Sequence, residues 1–497
     1  MDTVQASQNL CADGHGSEPG QLSFASYYGH HMVLQRAPQR AIVWGYASQP
    51  QGSVTLNVTG AGMGGGVYTS PVSPSPEVGG VWSVTLRPVN DTKSYTLRLT
   101  GPGGTAVLDD VLFGDVWLCA GQSNMQFTVN MSYNASDQVD DVANYTDIRL
   151  FTAQEATSRV ALRDLKAVLE PWSIPSNASL EGKAFTYFSD LCWLYGRYLY
   201  DYLGYPIGLI DTTWGGTAIE QWTSTAVLKK CNVKLKPLHD SEIWNAMVTP
   251  FASLSLYGAI WYQGESNAAE PDTYNCTFPG MIEDWRHYFS SHSDTRSDFP
   301  FGFVQLGAFR NDSSISTGFP DIRWHQTADV GYVPNNRMPN TFMAVAMDLP
   351  DFKSPWGSIH PRDKDTVARR LVMAAMSVAY NLTLGQFQGP FPESFQIDSG
   401  YMTLYVRYGY ADLAPVRSNK GFEVICSPFG KYSSTDQIHD DAVWSSVPII
   451  QSDGKHSFDT FRKHVDPFYN RYRQDGNTEL VTEKYTWIIP TRWHRTC

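Results

Sequence analysis

The stretch 116-VWLCAGQSNMQ-126 decides how this chain is read. Its first five residues, Val116-Trp117-Leu118-Cys119-Ala120, form a continuous apolar run, which predicts a buried strand. The run breaks at Gly121 and presents Gln122, Ser123 and Asn124. A strand that stops at glycine and then shows a serine holds a hydroxyl at a sheet edge. The backbone N–H groups of the turn point to the same place. Serine is a weak nucleophile at its ordinary pKa, so such a site needs a base and an oxyanion cradle. Read alone, Ser123 serves equally well as the cap of the next helix.

Working outward, the pattern from Val111 onward alternates strand and helix. Strands are expected at Pro206–Asp211, Tyr257–Tyr262, Phe301–Leu306 and Thr341–Met347. Helices are expected at Ser189–Leu203, Phe278–His292, Ile322–Tyr332 and Asp365–Tyr380. This alternation implies a parallel sheet with helices on both faces. The polar, sequon-rich segment Asn130–Ser179 reads as long surface loops. Upstream, short alternating runs at Met32–Gln35, Ala41–Tyr46, Ser53–Val58, Val81–Arg87 and Ser94–Leu99 suggest a sandwich, with turns at Gly60–Gly66 and Pro71–Gly80. After about residue 385 β character returns, at Tyr401–Tyr408, Phe422–Ser427 and Tyr485–Ile489. The expected organisation is a flexible N-terminus (1–21), a β-sandwich (22–110), an α/β catalytic domain (111–384) and a C-terminal β-rich segment (385–497).

At 497 residues the chain is too long for one ordinary core. Its 49 acidic against 37 basic residues argue against nucleic acid as a partner. No run approaches the length of about 20 apolar residues that spans a bilayer. The seven cysteines show no metal-ligand spacing, and no metal or other cofactor is expected. Cys119 and Cys192 lie in apolar runs and read as buried and reduced; Cys231 and Cys276 could pair in an oxidising compartment. Nine Asn-x-Ser/Thr sites occur, at Asn57, Asn90, Asn130, Asn134, Asn144, Asn177, Asn275, Asn311 and Asn381. Chance would give about two or three, so a glycosylated secretory protein, lysosomal or secreted, is expected. The polar N-terminus shows no signal peptide, and a cytosolic protein with silent sites is the alternative.

In an open α/β sheet, functional groups gather beyond the carboxyl ends of the strands. Four polar segments follow expected strands here: Gly121–Gln126, Trp214–Thr217, Gln263–Asn267, and Asp348 through His360. The last carries a histidine held extended by the proline after it, suited to take a serine proton near neutral pH. Twelve histidines are present, so spacing alone does not pair His360 with Ser123.

Gly121-Gln122-Ser123-Asn124-Met125-Gln126, taken with Trp261-Tyr262-Gln263-Gly264-Glu265-Ser266-Asn267 and Ile359-His360-Pro361-Arg362-Asp363-Lys364, resembles the sialate O-acetylesterases of the SGNH hydrolase superfamily. The resemblance runs from about Phe24 to Tyr380. It implies Ser123 as nucleophile and His360 as base. The oxyanion donors it implies are the N–H of Ser123, that of Gly216 or Gly215, and a third group. The superfamily's third donor is an asparagine in a Gly-x-Asn-Asp block. Ser266 occupies that slot here, so the amide of Gln263 is preferred, with Ser266 and Asn267 as alternates. The superfamily also places an aspartate three residues before its histidine, where this chain has Gly357. The site is then a dyad, or an acid comes from elsewhere: Asp348, at an expected strand end, or Glu265 or Asp351. Gln122, Trp214, Glu265 and Arg362 are candidate substrate contacts, with Trp214 or Trp261 walling the acetyl group and Arg362 or Arg323 meeting a carboxylate. The implied reaction is hydrolysis of O-acetyl esters of sialic acid or sialoglycans, of the 9-O-acetyl type. The alternatives are an acetylesterase for neutral polysaccharides and an inactive sialoglycan-binding protein.

Overall fold

The computed structural model describes residues 21–382 except 76–78, 181, 237–238, 313–314 and 316, then residues 387–388 and six strands beyond them. The expected flexible segment 1–21 lies, but for its last residue, outside the described residues. The chain forms two compact units that divide between Thr383 and Leu384.

The first unit is organised around one long strand, Gly104–Gly121, buried continuously from Val111 to Gly121. An unbroken apolar run is what a strand covered on both faces requires, because no position points to water. Parallel strands flank it. On one side lie Ile207–Thr213 and then Ile148–Ala153; on the other lie Gly258–Tyr262, Phe301–Gln305 and Thr341–Val345. An antiparallel edge strand, Val168–Ser173, closes the first side. The chain visits one flank before the other, so the order reverses at the central strand. That reversal opens a crevice beyond its carboxyl end. Helices Asp190–Leu203, Tyr274–His292 and Lys364–Val378 supply the crossovers and cover.

The first half of the same strand belongs to the N-terminal β layers. It pairs with Tyr95–Gly101 and with Val33–Gln35, while Ser53–Gly60 joins Tyr95–Gly101 to Gly66–Pro71. A second sheet holds Ser23–Phe24, Ile42–Ala47, Gly79–Thr85 and Ser73–Ser75. Alternate residues such as Val54, Leu56 and Val58 are buried, as one-sided sheets demand. Position 110/111 therefore falls inside a continuous strand that the two halves share.

Three expectations need correction. Asn130–Ser179 is not all surface loop: Ile148–Ala153 is a fully buried strand of the main sheet. Its apolar residues are interrupted by Arg149 and Thr152 and set in a polar stretch, with the Asn144 sequon just before them, which swamps their signal. The helix expected at Ile322–Tyr332 is shorter and earlier, Phe319–His325, with Pro320 in its first turn, where proline's missing N–H costs nothing. Cys119 and Cys192 are buried but joined to each other, their Cα atoms 6.0 Å apart; Cys231 pairs with Cys276.

In the second unit the described strands Ser394–Asp398, Thr403–Arg407, Lys420–Pro428, Ser445–Ser452, His456–Thr460 and Tyr485–Ile488 form an antiparallel six-stranded sheet.

Candidate active site

Gly121 makes the sharp exit from the central strand. Its φ is +138°, and a Cβ there would sit 2.3 Å from the Tyr262 carbonyl oxygen, so only glycine fits. Gln122 N–H donates to that same carbonyl at 3.0 Å, and a short helix, Ser123–Gln126, begins at once. The Gln122 side chain is buried and accepts from the N–H of Ser266 at 3.1 Å, tying the neighbouring strand's loop to the turn. The result is a half-buried Ser123 hydroxyl at the sheet's carboxyl edge.

His360 meets it. Its Nε2 lies 2.8 Å from Ser123 Oγ, although 237 positions separate the two residues. The other ring nitrogen, Nδ1, lies 2.8 Å from the backbone carbonyl of Trp356. A carbonyl only accepts, so Nδ1 carries the proton and Nε2 presents a lone pair to the serine. That is the tautomer a general base needs. Burial holds the imidazole below its ordinary value, the Trp356 carbonyl works against this, and the Lys364 ammonium adds to it. Phe185 stands edge-on to the ring, 5.3 Å between centroids.

Asp348, the acid expected behind the ring, is engaged elsewhere. Both its oxygens pair with Arg370, at 2.5 and 2.8 Å. Asp351 is bound by Arg362, whose guanidinium also lies over the Tyr133 ring. The loop turns back on itself at Gly357, which places a peptide carbonyl where a triad would hold a carboxylate.

The hydroxyl and imidazole open into a cavity of about 380 Å³ lined by Gln122, Ser123, Gln126, Phe185, Gly215, Gly216, Glu265, Ser266, Ile359 and His360. Gly215 N–H is taken by the Gln126 side-chain oxygen at 2.8 Å, so of the two candidate glycines Gly216 remains. Gln263 is fully buried and its amide donates to Asn267 Oδ1 and the Thr217 carbonyl, away from the lining. Asn267 is likewise committed, to Glu220 and the Ile219 N–H. Ser266 is on the wall and exposed. Trp261 is a core residue packed edge-on against Trp222 and Trp285 rather than a pocket wall. Trp214 is half-buried beside the glycines, outside the lining set. Arg362 and Arg323 are outside it too, and the lining includes no Lys or Arg. Glu265 does line it, with its carboxyl pushed upward by burial and partly relieved by the Asn124 amide. Phe185 and Gln126 were not foreseen. Phe185 sits in a polar stretch with no periodic signal, whereas Gln126 ends the quoted serine block.

Residues 113–360 match the family described as carbohydrate esterase, sialic acid-specific acetylesterase. The chain is 44% identical over 420 residues to the human sialate O-acetylesterase, covering 81% of this chain and 80% of that one. It is 42% identical over 446 residues to the mouse protein of the same name, covering 81% and 82%.

The chain belongs to the sialate O-acetylesterase family.

It is a carboxylic ester hydrolase of the carbohydrate esterase kind. Among solved structures it is similar to a carbohydrate acetylesterase from Xanthomonas citri, with TM-score 0.71, 26% identity, and coverage of 88% of this chain and 90% of the other.

Proposed function

We propose that the enzyme removes O-acetyl groups from sialic acids through an acetyl-serine intermediate, with Ser123 and His360 working as a dyad. The observation that carries this reading is the 2.8 Å approach of His360 Nε2 to Ser123 Oγ at the mouth of a sugar-sized cavity. Ser123 Oγ adds to the acetyl carbonyl carbon while its proton passes to Nε2. The oxyanion is received by the N–H groups of Ser123 and Gly216, with the Ser266 hydroxyl as third donor in place of Gln263. Collapse breaks the ester C–O bond, and the sugar oxygen leaves with the proton held on His360. Water then adds to acetyl-Ser123, gives a proton to Nε2, and acetate departs as Oγ regains its hydrogen.

The Trp356 carbonyl orients the ring but carries only a partial charge. It stabilises imidazolium less than a carboxylate would, which accords with a histidine that stays neutral to lower pH. The two disulfides and the exposed sequon asparagines Asn90, Asn130, Asn134, Asn144, Asn177, Asn311 and Asn381 support a glycosylated protein of the secretory pathway, lysosomal or secreted.

A second reading, an acetylesterase for neutral polysaccharides, is favoured because no lysine or arginine stands among the described residues lining the cavity. Acetate release from 9-O-acetylated sialic acid and from acetylated xylan, by wild type and Ser123→Ala, separates the readings. Sialate turnover that disappears in the variant is expected. Turnover of xylan alone favours the second reading, and unchanged release by the variant removes the serine mechanism.

A further inference from the structure

The loop that carries His360 runs outside any strand or helix, and among the described residues a peptide carbonyl, not a carboxylate, meets the Nδ1 of the ring. Besides contacts within the loop, a buried chain of polar contacts reaches from it back to the residue after Ser123. Asn124 Nδ2 donates to the Ile359 carbonyl at 2.9 Å and to Glu265 Oε1 at 2.5 Å. Asn124 Oδ1 accepts from Lys364 Nζ at 2.8 Å, and the same ammonium donates to the Pro361 carbonyl at 2.8 Å. Asn124, Glu265 and Lys364 are all buried. The carbonyls immediately before and after His360 are thus both held by one connected group.

We propose that Asn124 and Lys364 are positioning residues, clamping the two peptide carbonyls that flank His360 and so doing through the backbone what the acid of a triad does through the ring. The proposal rests on the Ser123–His360 dyad reading above. The loop is also tied within itself, by Ser354 Oγ to the His360 carbonyl at 2.7 Å and by the His360 N–H to the Gly357 carbonyl at 2.9 Å; the clamp adds the link to the serine side of the site, where proton transfer tolerates only a fraction of an ångström. The clamp also fixes base and nucleophile to each other, since Asn124 is the nucleophile's own neighbour.

Lys364 does more than donate. It is packed against the rings of Phe127 and Tyr262, at 4.4 and 5.3 Å. The acids facing it are Asp190, Glu265, Asp363 and Asp351, in order of influence. Burial outweighs them and draws the ammonium down to about 7. Its positive charge depresses the His360 pKa. Removing that charge therefore raises it, and the acidic limb of the rate profile moves to higher pH.

The test is steady-state acetate release between pH 4.5 and 9 (about two units either side of neutrality, spanning the histidine range) for wild type, Asn124→Ala, Lys364→Met and Lys364→Arg, with melting temperatures recorded alongside. Lys364→Met is expected to lose about 10- to 100-fold in kcat with KM within about twofold, and to shift the acidic limb upward by about half a unit. Asn124→Ala is expected to lose kcat similarly while its limb stays in place. Lys364→Arg, keeping charge and donors, recovers the wild-type limb. Folded Asn124→Ala and Lys364→Met enzymes with wild-type kcat and limb, whatever their melting temperatures, overturn the clamp. Should Lys364→Met not fold, Asn124→Ala decides by its kcat alone. Ser123→Ala runs as a control: activity there defeats the dyad reading, whereas a dead control beside unaffected clamp variants defeats only the clamp.

Discussion

Ser123 and His360, the proposed nucleophile and base, are held in opposite ways. Ser123 sits at the end of a regular strand, behind a glycine that only one conformation satisfies, with a disulfide from Cys119 to the helix Asp190–Leu203 just beneath. His360 sits in an irregular loop whose order comes from side chains reaching peptide groups: Ser354 Oγ to its carbonyl at 2.7 Å, Asn124 and Lys364 to its neighbours, and its own Nδ1 to Trp356. Regular structure places the nucleophile by local geometry. The base is placed by contacts distant in sequence. The nucleophile's surroundings should therefore respond to backbone changes, and the base's to deletions of polar side chains.

The largest expected effect tests both halves together. Ser123→Ala and His360→Ala should each lower kcat/KM by about 10⁴-fold or more, with little added loss in the double variant, because the two act as a unit. Losses that simply multiply in the double variant would part the pair. Next comes Gly121→Ala. A methyl cannot occupy the 2.3 Å gap to the Tyr262 carbonyl, and the φ is forbidding. Activity should fall by about 100-fold or more through displacement of the turn, seen as a kcat loss in whatever protein folds. An active Gly121→Ala enzyme would show that the turn tolerates rearrangement.

Third is the disulfide beneath the nucleophile. Replacing both Cys119 and Cys192 with alanine should cost about 2–5 kcal/mol of stability, read by denaturant unfolding. The smallest effect concerns pH. Asp190 and Asp211 are fully buried and each is pushed up to about 7 by desolvation, as is Glu170. Folded pKa values above the unfolded ones mean that the native state binds more protons between about pH 4 and 7. The stabilisation is then full below the unfolded values and is lost as pH rises through 7. Lys364, drawn down to about 7, acts over a higher range: its depressed value costs stability below 7, and that cost fades as pH climbs toward its unfolded value. The melting temperature should be a few degrees higher at pH 5 than at pH 7.5. A higher value at pH 7.5 would mean that these carboxyls are ionised in the native state.

The central strand, its glycine break and the parallel flanking strands were legible because apolar runs ending in turn residues report burial directly. Ile148–Ala153 was not, since Arg149 and Thr152 interrupt its apolar residues within a polar, sequon-rich stretch. The meeting of Ser123 and His360 was legible through their motif blocks; the carbonyl behind the ring was not. A sequence announces an aspartate, but every residue owns a carbonyl, so Trp356 carried no mark. Asn124 and Lys364 stood inside the quoted blocks without a readable role, because their meaning depends on carbonyls that only the folded loop brings near. The direction of the Gln263 amide was hidden for the same kind of reason: it donates to Thr217 and Asn267, partners that only the fold brings near.

The account turns on a histidine steered by a peptide carbonyl instead of an acid, and one comparison addresses that most directly: kcat/KM for acetate release by folded Asp348→Asn and Asp351→Asn enzymes beside His360→Ala. Both asparagine variants should stay within about tenfold of wild type while His360→Ala falls by about 10⁴-fold. An Asp348→Asn or Asp351→Asn enzyme as crippled as His360→Ala would mean that a carboxylate orients the base after all.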